Sequence, residues 1–149
     1  MTEIKGDIWK VGQGFWAICV TTNGIVKNNG CAVMGQGIAL QAVQRYPGID
    51  RRLGDLLRQK GNHVYLLNAD LTKPFIISFP TKNDWRDDSS LALIQQSAHE
   101  LCELMDHYRA LTVIMTRPGC GNGHLYWPDV REVLLPIFAD RPITIISPE

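Results

Sequence analysis

The sequence lacks a charge surplus of either sign: Lys and Arg total 15, Asp and Glu total 15, and the formal net charge is zero. That balance argues against a general electrostatic hold on DNA or RNA, so charge predicts no stable nucleic-acid partner. A local basic patch around a pocket remains compatible with it. Cysteine is sparse, and its spacing is wrong for metal. Cys19, Cys31, Cys102 and Cys120 include no pair two residues apart and no His at zinc-ligand spacing. A disulfide framework is not expected at this length, and a reducing cytoplasm suits the free thiols. Cys19 in an apolar run and Cys102 beside a helical stripe read as small buried hydrophobes. No apolar run approaches the ~20 residues of a membrane span. Met1 to Ile8 has no basic stretch followed by an apolar core, so no secretory signal is read there. Low-complexity segments and internal repeats are missing too. These absences predict a cytoplasmic protein with no membrane partner and no metal or other cofactor. What remains is ordinary globular composition, 45% hydrophobic and 20% charged over 149 residues, enough for one domain spanning residues 1–149.

Strand and helix patterns alternate along the chain. Short strands are expected at Ile4–Trp9, Phe15–Thr21, His63–Leu67, Phe75–Phe79, Leu111–Met115 and Ile143–Ile146. Apolar residues recur at helical spacing from Ile38 to Tyr46, where Pro47 stops the run, and from Ile49 to Lys60, where Gly61 does. A longer stripe runs through Leu91, Ile94, Ala98, Leu101, Met105 and Tyr108, with Ser89 or Ser90 as its cap. The last helix starts near Pro128 and carries Val130, Val133, Leu134, Ile137 and Phe138; Pro136 within it predicts a kink or an early end. Trp16–Val20, Leu111–Met115 and Ile143–Ile146 are apolar at consecutive positions. They are expected to be covered on both faces, as in an α/β sheet flanked by helices. Ligands of such sheets sit beyond the carboxyl ends of the strands.

Glycine collects at those ends. The first loop, Asn28-Asn29-Gly30-Cys31-Ala32-Val33-Met34-Gly35-Gln36-Gly37, enters a helix at Ile38. Gly35 and Gly37 allow close backbone approach, and the helix start offers free amides, a combination that suits phosphate. A permissive turn explains the same glycines equally well. The second loop, Arg117-Pro118-Gly119-Cys120-Gly121-Asn122-Gly123, follows a buried strand and can form a concave nest of amides. Two such loops on two buried strands favour a phosphate-bearing ligand. Neither ends in Gly-Lys-Ser/Thr, so nucleotide hydrolysis of the P-loop type is not supported. A third loop, Pro80-Thr81-Lys82-Asn83-Asp84-Trp85-Arg86-Asp87-Asp88, places Lys82 on the same side. Taken alone, Lys82 reads as a surface lysine, an anion contact, or a nucleophile or proton carrier. Trp85 either covers the ligand or pins the loop to the core. His63, His99 and His107 read as surface residues, and His124 abuts the glycine loop; no Ser/His/Asp triad is defensible.

Taken together, Gly6-Asp7-Ile8, Thr21-Thr22-Asn23, Val33-Met34-Gly35-Gln36-Gly37-Ile38-Ala39-Leu40-Gln41, Pro80-Thr81-Lys82 and Gly119-Cys120-Gly121-Asn122-Gly123 with Trp127 resemble the macrodomain family. The resemblance runs in order from about Ile4 to Pro148. It is strongest to the branch of the terminal ADP-ribose protein glycohydrolase and the DNA-directed glycohydrolase antitoxins of the DarG type. It implies a three-layer α/β/α fold around a central mixed, mostly parallel sheet, with ADP-ribose or an ADP-ribosylated macromolecule (DNA or protein) as partner. By resemblance, Asp7 and Ile8 would hold the adenine, with Ser147 and Pro148 nearby. Met34 to Ile38, with Gly35 and Gly37, would line the distal ribose and diphosphate, and Gly119, Cys120, Gly121, Asn122 and Gly123 would wrap the diphosphate; Thr22, Asn23, Val33, Thr81 and Pro118 would also contact ADP-ribose. Lys82 matches the lysine used by this branch to cleave the ADP-ribose link.

Two departures stand out. Gly123 occupies the place of the protein glycohydrolase's acidic residue, and the segment Gly24–Gly30 is longer, which could reshape the substrate entrance. The function expected from the resemblance is therefore an ADP-ribosyl glycohydrolase acting on DNA or protein. The alternatives are a reader of ADP-ribose without catalysis and a phosphatase of ADP-ribose 1″-phosphate.

Overall fold

In a computed structural model describing residues 1–68, 73–109 and 111–149, the alternating patterns become one six-stranded sheet with helices on both faces. In chain order the elements are β1 (Thr2–Lys5), α1 (Ile8–Val11), β2 (Ala17–Thr22), α2 (Gly37–Arg45), α3 (Ile49–Lys60), β3 (Tyr65–Leu66), β4 (Phe75–Pro80), α4 (Leu91–His107), β5 (Val113–Thr116), α5 (Trp127–Phe138) and β6 (Ile143–Ser147). The strand order is β1-β6-β5-β2-β4-β3, and every neighbouring pair is parallel except β3 with β4.

The strict alternation of side chains across a strand explains the three layers. On β2, Ala17 and Cys19 face the layer of α4 and α5, while Ile18 and Val20 face α2 and α3. On β4 the division is Ile77 and Phe79 against Ile76, and on β5 it is Val113 and Met115 against Ile114. Leu101, Leu134 and Phe138 close one face; Ala42 and Leu53 close the other. Each such aliphatic or aromatic side chain contributes roughly 1.5–3 kcal/mol by leaving water. Burial on both faces is why the central strands read as continuous apolar runs. Cys19 and Cys102 lie in this interior, and burial pushes both thiols up.

Three local expectations are overturned. Ile4–Trp9 is not one strand: β1 ends at Lys5, Gly6 turns with φ 152°, and the Asp7 carboxylate accepts from the Trp9 amide to start α1. Trp16 lies outside β2 and is 45% exposed, with the Lys73 amine 4.4 Å from its ring centre. Pro136 neither ends α5 early nor prevents Phe138 from reaching the core. Its ring leaves Glu132 O without the amide hydrogen bond a helix would make there, and buried Leu134 and Phe138 on either side hold the turn; the early end is excluded, and the kink is the part of the expectation that stands.

Five neighbouring parallel strands end on the same edge of the sheet. The connections leaving β2 and β4 cross to opposite faces, opening a crevice at the carboxyl ends. No helix among the described residues is long and apolar enough to cross a membrane.

Candidate functional site

That crevice is a cavity of about 1120 Å³, at the large end for a small-molecule site. Its floor is made by strand ends, with Thr21 and Thr22 from β2, Thr116 from β5, and Ile146 and Ser147 from β6. Its walls are the loops before α2, after β4 and after β5. Of the residues singled out in the sequence, Ile8, Thr22, Asn23, Val33, Met34, Gly35, Gly37, Ile38, Thr81, Lys82, Gly119, Cys120, Gly121, Asn122, Gly123 and Pro148 all line it.

Two singled-out residues lie elsewhere. Asp7 borders a smaller adjoining hollow of about 390 Å³, which shares Ile8, Gln41, Thr116, Ile146, Ser147 and Pro148 with the main cavity. Pro118 is buried behind the glycine loop and lines neither space. The segment Gly24–Gly30 supplies no lining residue, though its start is tied to the walls: the Gly24 amide donates to Asn83 O at 3.0 Å and the Val33 amide to Ile25 O at 3.0 Å. A bridge from Val26 to Ala32 folds it on itself. The Ala32 amide then donates to Asp50 O at 2.9 Å, and the Arg51 guanidinium donates to Asn29 O at 2.8 Å, holding the segment against α3.

The loop before α2 delivers a helix start to the cavity. Gln36 precedes the helix without a side-chain cap, and no acidic residue sits in the first turn. Gln36, Gly37, Ile38 and Ala39 all line the cavity, so its wall is an open, positively polarised helix end. Gly37 adopts φ 57°, which turns the chain into the helix. Asn23 holds the other end of the loop, donating to Val33 O at 2.9 Å and accepting from the Ile25 amide at 3.0 Å.

The loop after β4 is fixed around Lys82. The Thr81 amide donates to Thr22 O at 3.1 Å, the Ser90 amide to Thr81 O at 2.9 Å, and Asn62 Nδ2 to Lys82 O at 2.9 Å. Lys82 Nζ crosses to the glycine loop and donates to Asn122 O at 3.1 Å, with Trp85 O at 3.4 Å. The Ser89 amide makes a second tie, to Gly123 O at 3.0 Å. Trp85 is 47% exposed and lines the cavity, so it is not pinned to the core. Hydrogen bonds from Arg86 hold the Asp84 carboxyl at about 2, which keeps that group from serving as a proton donor near neutrality.

Gly123 is a glycine for steric reasons. A Cβ there would collide with Ser89 Oγ and the Gly119 carbonyl. An acidic side chain at this position has no room without moving both. Ser89 Oγ and Thr22 Oγ1 are buried at the cavity wall without a protein partner. His124, at φ 62°, pairs with Asp88 at 2.8 Å and does not line the cavity. Burial raises the Cys120 thiol, which disfavours a thiolate nucleophile. Among the described residues the cavity lining includes no Asp or Glu, and Lys82 supplies its one lysine amine.

The sequence assigned no role to Gln41, Arg117 or Tyr126, all of which line the cavity. Arg117 lies 5.1 Å from the Trp127 ring centre, and the Trp127 indole donates to Glu3 at 3.1 Å. A hydrogen bond from Arg131 holds the Glu3 carboxyl below its ordinary range. Tyr126 stands at the start of α5 with 69% of its surface exposed. Its position between a glycine loop and a helix-opening proline was the signal available for it.

No family model matches the chain. It is similar to the DNA ADP-ribosyl glycohydrolase of Mycobacterium tuberculosis, 33% identical over 127 residues that cover 81% of this chain and 36% of that protein. The enzyme of the same name from Thermus aquaticus is 28% identical over 109 residues, covering 70% of this chain and 30% of that protein. The chain thus spans about a third of the length of the curated relatives it matches. Among solved structures, the macrodomain of Mycobacterium tuberculosis DarG superposes with a TM-score of 0.82 at 28% identity, covering all of both chains. The macrodomain of Thermus aquaticus DarG gives 0.81 at 22% identity, covering 99% of this chain and 97% of that one. Thermosipho africanus DarTG, solved in complex with ADP-ribose, gives 0.80 at 21% identity, covering 98% of this chain and 41% of that one.

Proposed function

Since the chain is a macrodomain of the DarG-like branch, we propose that it binds ADP-ribose in the main cavity and removes it from DNA. The relatives named DNA ADP-ribosyl glycohydrolase support the substrate. The observation that carries the reaction is the lining itself: an acid-free cavity that holds one lysine amine together with an uncapped helix start. The start of α2 and the amides of Gly119–Gly123 suit a diphosphate, each offering N–H groups and no opposing carboxylate. The diphosphate so held fixes the distal ribose beside Lys82. A water that Lys82 Nζ positions, or Nζ itself once it has given up a proton, then attacks the ribose anomeric carbon; the bond to the modified base breaks, the base leaves on the strand with a proton, and in the second case water afterwards frees ADP-ribose from the lysine. Because Nζ donates to Asn122 O, the amine is placed by the glycine loop that would hold the phosphates. Asp7 and Ile8 would take the adenine, with Pro148 beside it, across the hollow that joins the cavity.

Incubation with ADP-ribosylated single-stranded DNA and with ADP-ribosylated protein tests the reading. Release from DNA is expected, with Lys82→Ala slowing turnover by at least about 100-fold. Full activity in Lys82→Ala, or no release from DNA, overturns it. The absence of room for an acid at Gly123 also favours a second reading, a binder without catalysis. Calorimetry would then show ADP-ribose binding that survives Lys82→Ala, with no turnover of either substrate.

A further inference from the structure

Two large aromatic side chains border the cavity without being part of the core. Tyr126 is 69% exposed and Trp85 is 47% exposed, yet both line the cavity, which places their rings at its mouth. They stand on different loops, and Lys82, on the loop of Trp85, reaches across to the other. Its amine donates to Asn122 O on the loop that leads into Tyr126, and to the carbonyl of Trp85 itself. Both loops that carry these rings are thus joined through the Lys82 amine. No side-chain hydrogen bond holds the Tyr126 hydroxyl among the described residues. The Trp85 ring carries the Arg86 guanidinium 5.6 Å from its centre.

We propose that Tyr126 and Trp85 are stacking platforms for the nucleobases that flank the ADP-ribosylated one in a single strand. The proposal rests on the glycohydrolase reading above. A strand that reaches Lys82 through this cavity meets two exposed rings on its lining, and every base has a π-face that such a ring can take. The surrounding charge points to stacking rather than to a phosphate clamp. From Thr81 to Asp88 the loop carries Lys82 and Arg86 against Asp84, Asp87 and Asp88, and the whole chain has no net positive charge. Affinity gained at the mouth should therefore depend weakly on salt, unlike affinity gained by neutralising phosphates.

The experiment compares two substrates, an ADP-ribosylated mononucleoside and an ADP-ribosylated single-stranded oligonucleotide with several nucleotides on each side. KM and kcat are measured for wild type, Tyr126→Ala, Tyr126→Phe and Trp85→Ala at two salt concentrations. Tyr126→Ala is expected to raise KM for the oligonucleotide at least about fivefold more than for the mononucleoside. Tyr126→Phe is expected to restore most of that difference, because it keeps the ring. Trp85→Ala retains the carbonyl that faces Lys82 and should act in the same direction. An equal change on both substrates, no change on the oligonucleotide, or a preference lost on raising salt overturns the proposal. If wild type turns over neither substrate, the glycohydrolase reading fails by itself. The dissociation constants of free ADP-ribose and of the ADP-ribosylated oligonucleotide then replace KM. A Tyr126→Ala effect equal on both overturns the stacking assignment in that case.

Discussion

The two glycine-rich loops look alike on paper and use their glycines for different ends. In the loop before α2, a Cβ on Gly35 would meet nothing within 4 Å, and one on Gly37 would meet only the Asn122 side chain at 3.5 Å. Those glycines serve the space in front of them and the turn into the helix. In the loop after β5, a Cβ on Gly119 would fall 2.9 Å from Ile94 and 3.0 Å from Leu125, and one on Gly123 would strike Ser89. Those glycines serve the protein behind them, letting the loop lie on the start of α4. Gly121 is the exception within the second loop, with open space around it. A run of glycines is thus two kinds of position, and only the open kind bears directly on a ligand.

This contrast can be broken most forcefully at Gly121. Gly121→Glu has room for its side chain, so thermal unfolding should stay near wild type. Its carboxylate would occupy the phosphate nest, and calorimetry should show ADP-ribose affinity falling by at least about 100-fold. Unchanged affinity would mean that the phosphates lie elsewhere. Gly123→Ala should do the reverse of a ligand-side change and cost the fold about 1–3 kcal/mol, read by denaturant unfolding, because a single methyl must displace packed neighbours. A neutral outcome would show that Ser89 and the loop yield easily. Gly37→Ala is expected to have the smallest effect, about 1 kcal/mol on stability, since its cost is the φ of 57° and not crowding. Equal losses at positions 37 and 123 would erase the distinction.

Much of the fold was legible because burial on both faces leaves an unmistakable trace. The runs around Ile18, Ile114 and Ile145 read as central strands, and the stripe read from Leu91 to Tyr108 became α4, which ends at His107 with Tyr108 as its cap. Ser90 caps that helix by accepting from the Leu93 amide, one of the two serines expected to do so. The start of the chain was misread because Ile8 and Trp9 continue the apolar texture of β1. Only the Gly6 turn and the Asp7 cap separate them from it. The cavity was legible through its glycines and Lys82, which stand at strand ends. Arg117 was not, since nothing local says that a surface arginine faces a hollow, and Tyr126 offered only its place between a glycine loop and Pro128. The steric reason for Gly123 was also out of reach, because Ser89 approaches it from a loop far away in sequence.

The bare start of α2 carries a last consequence. A helix normally brings its own first-turn acceptor, and Gln36 does not provide one. An anion in the cavity would stand in the place of that missing side chain. Occupancy would then complete a piece of secondary structure as well as fill a hole. In that sense the ligand is the final residue of the fold, supplied from outside.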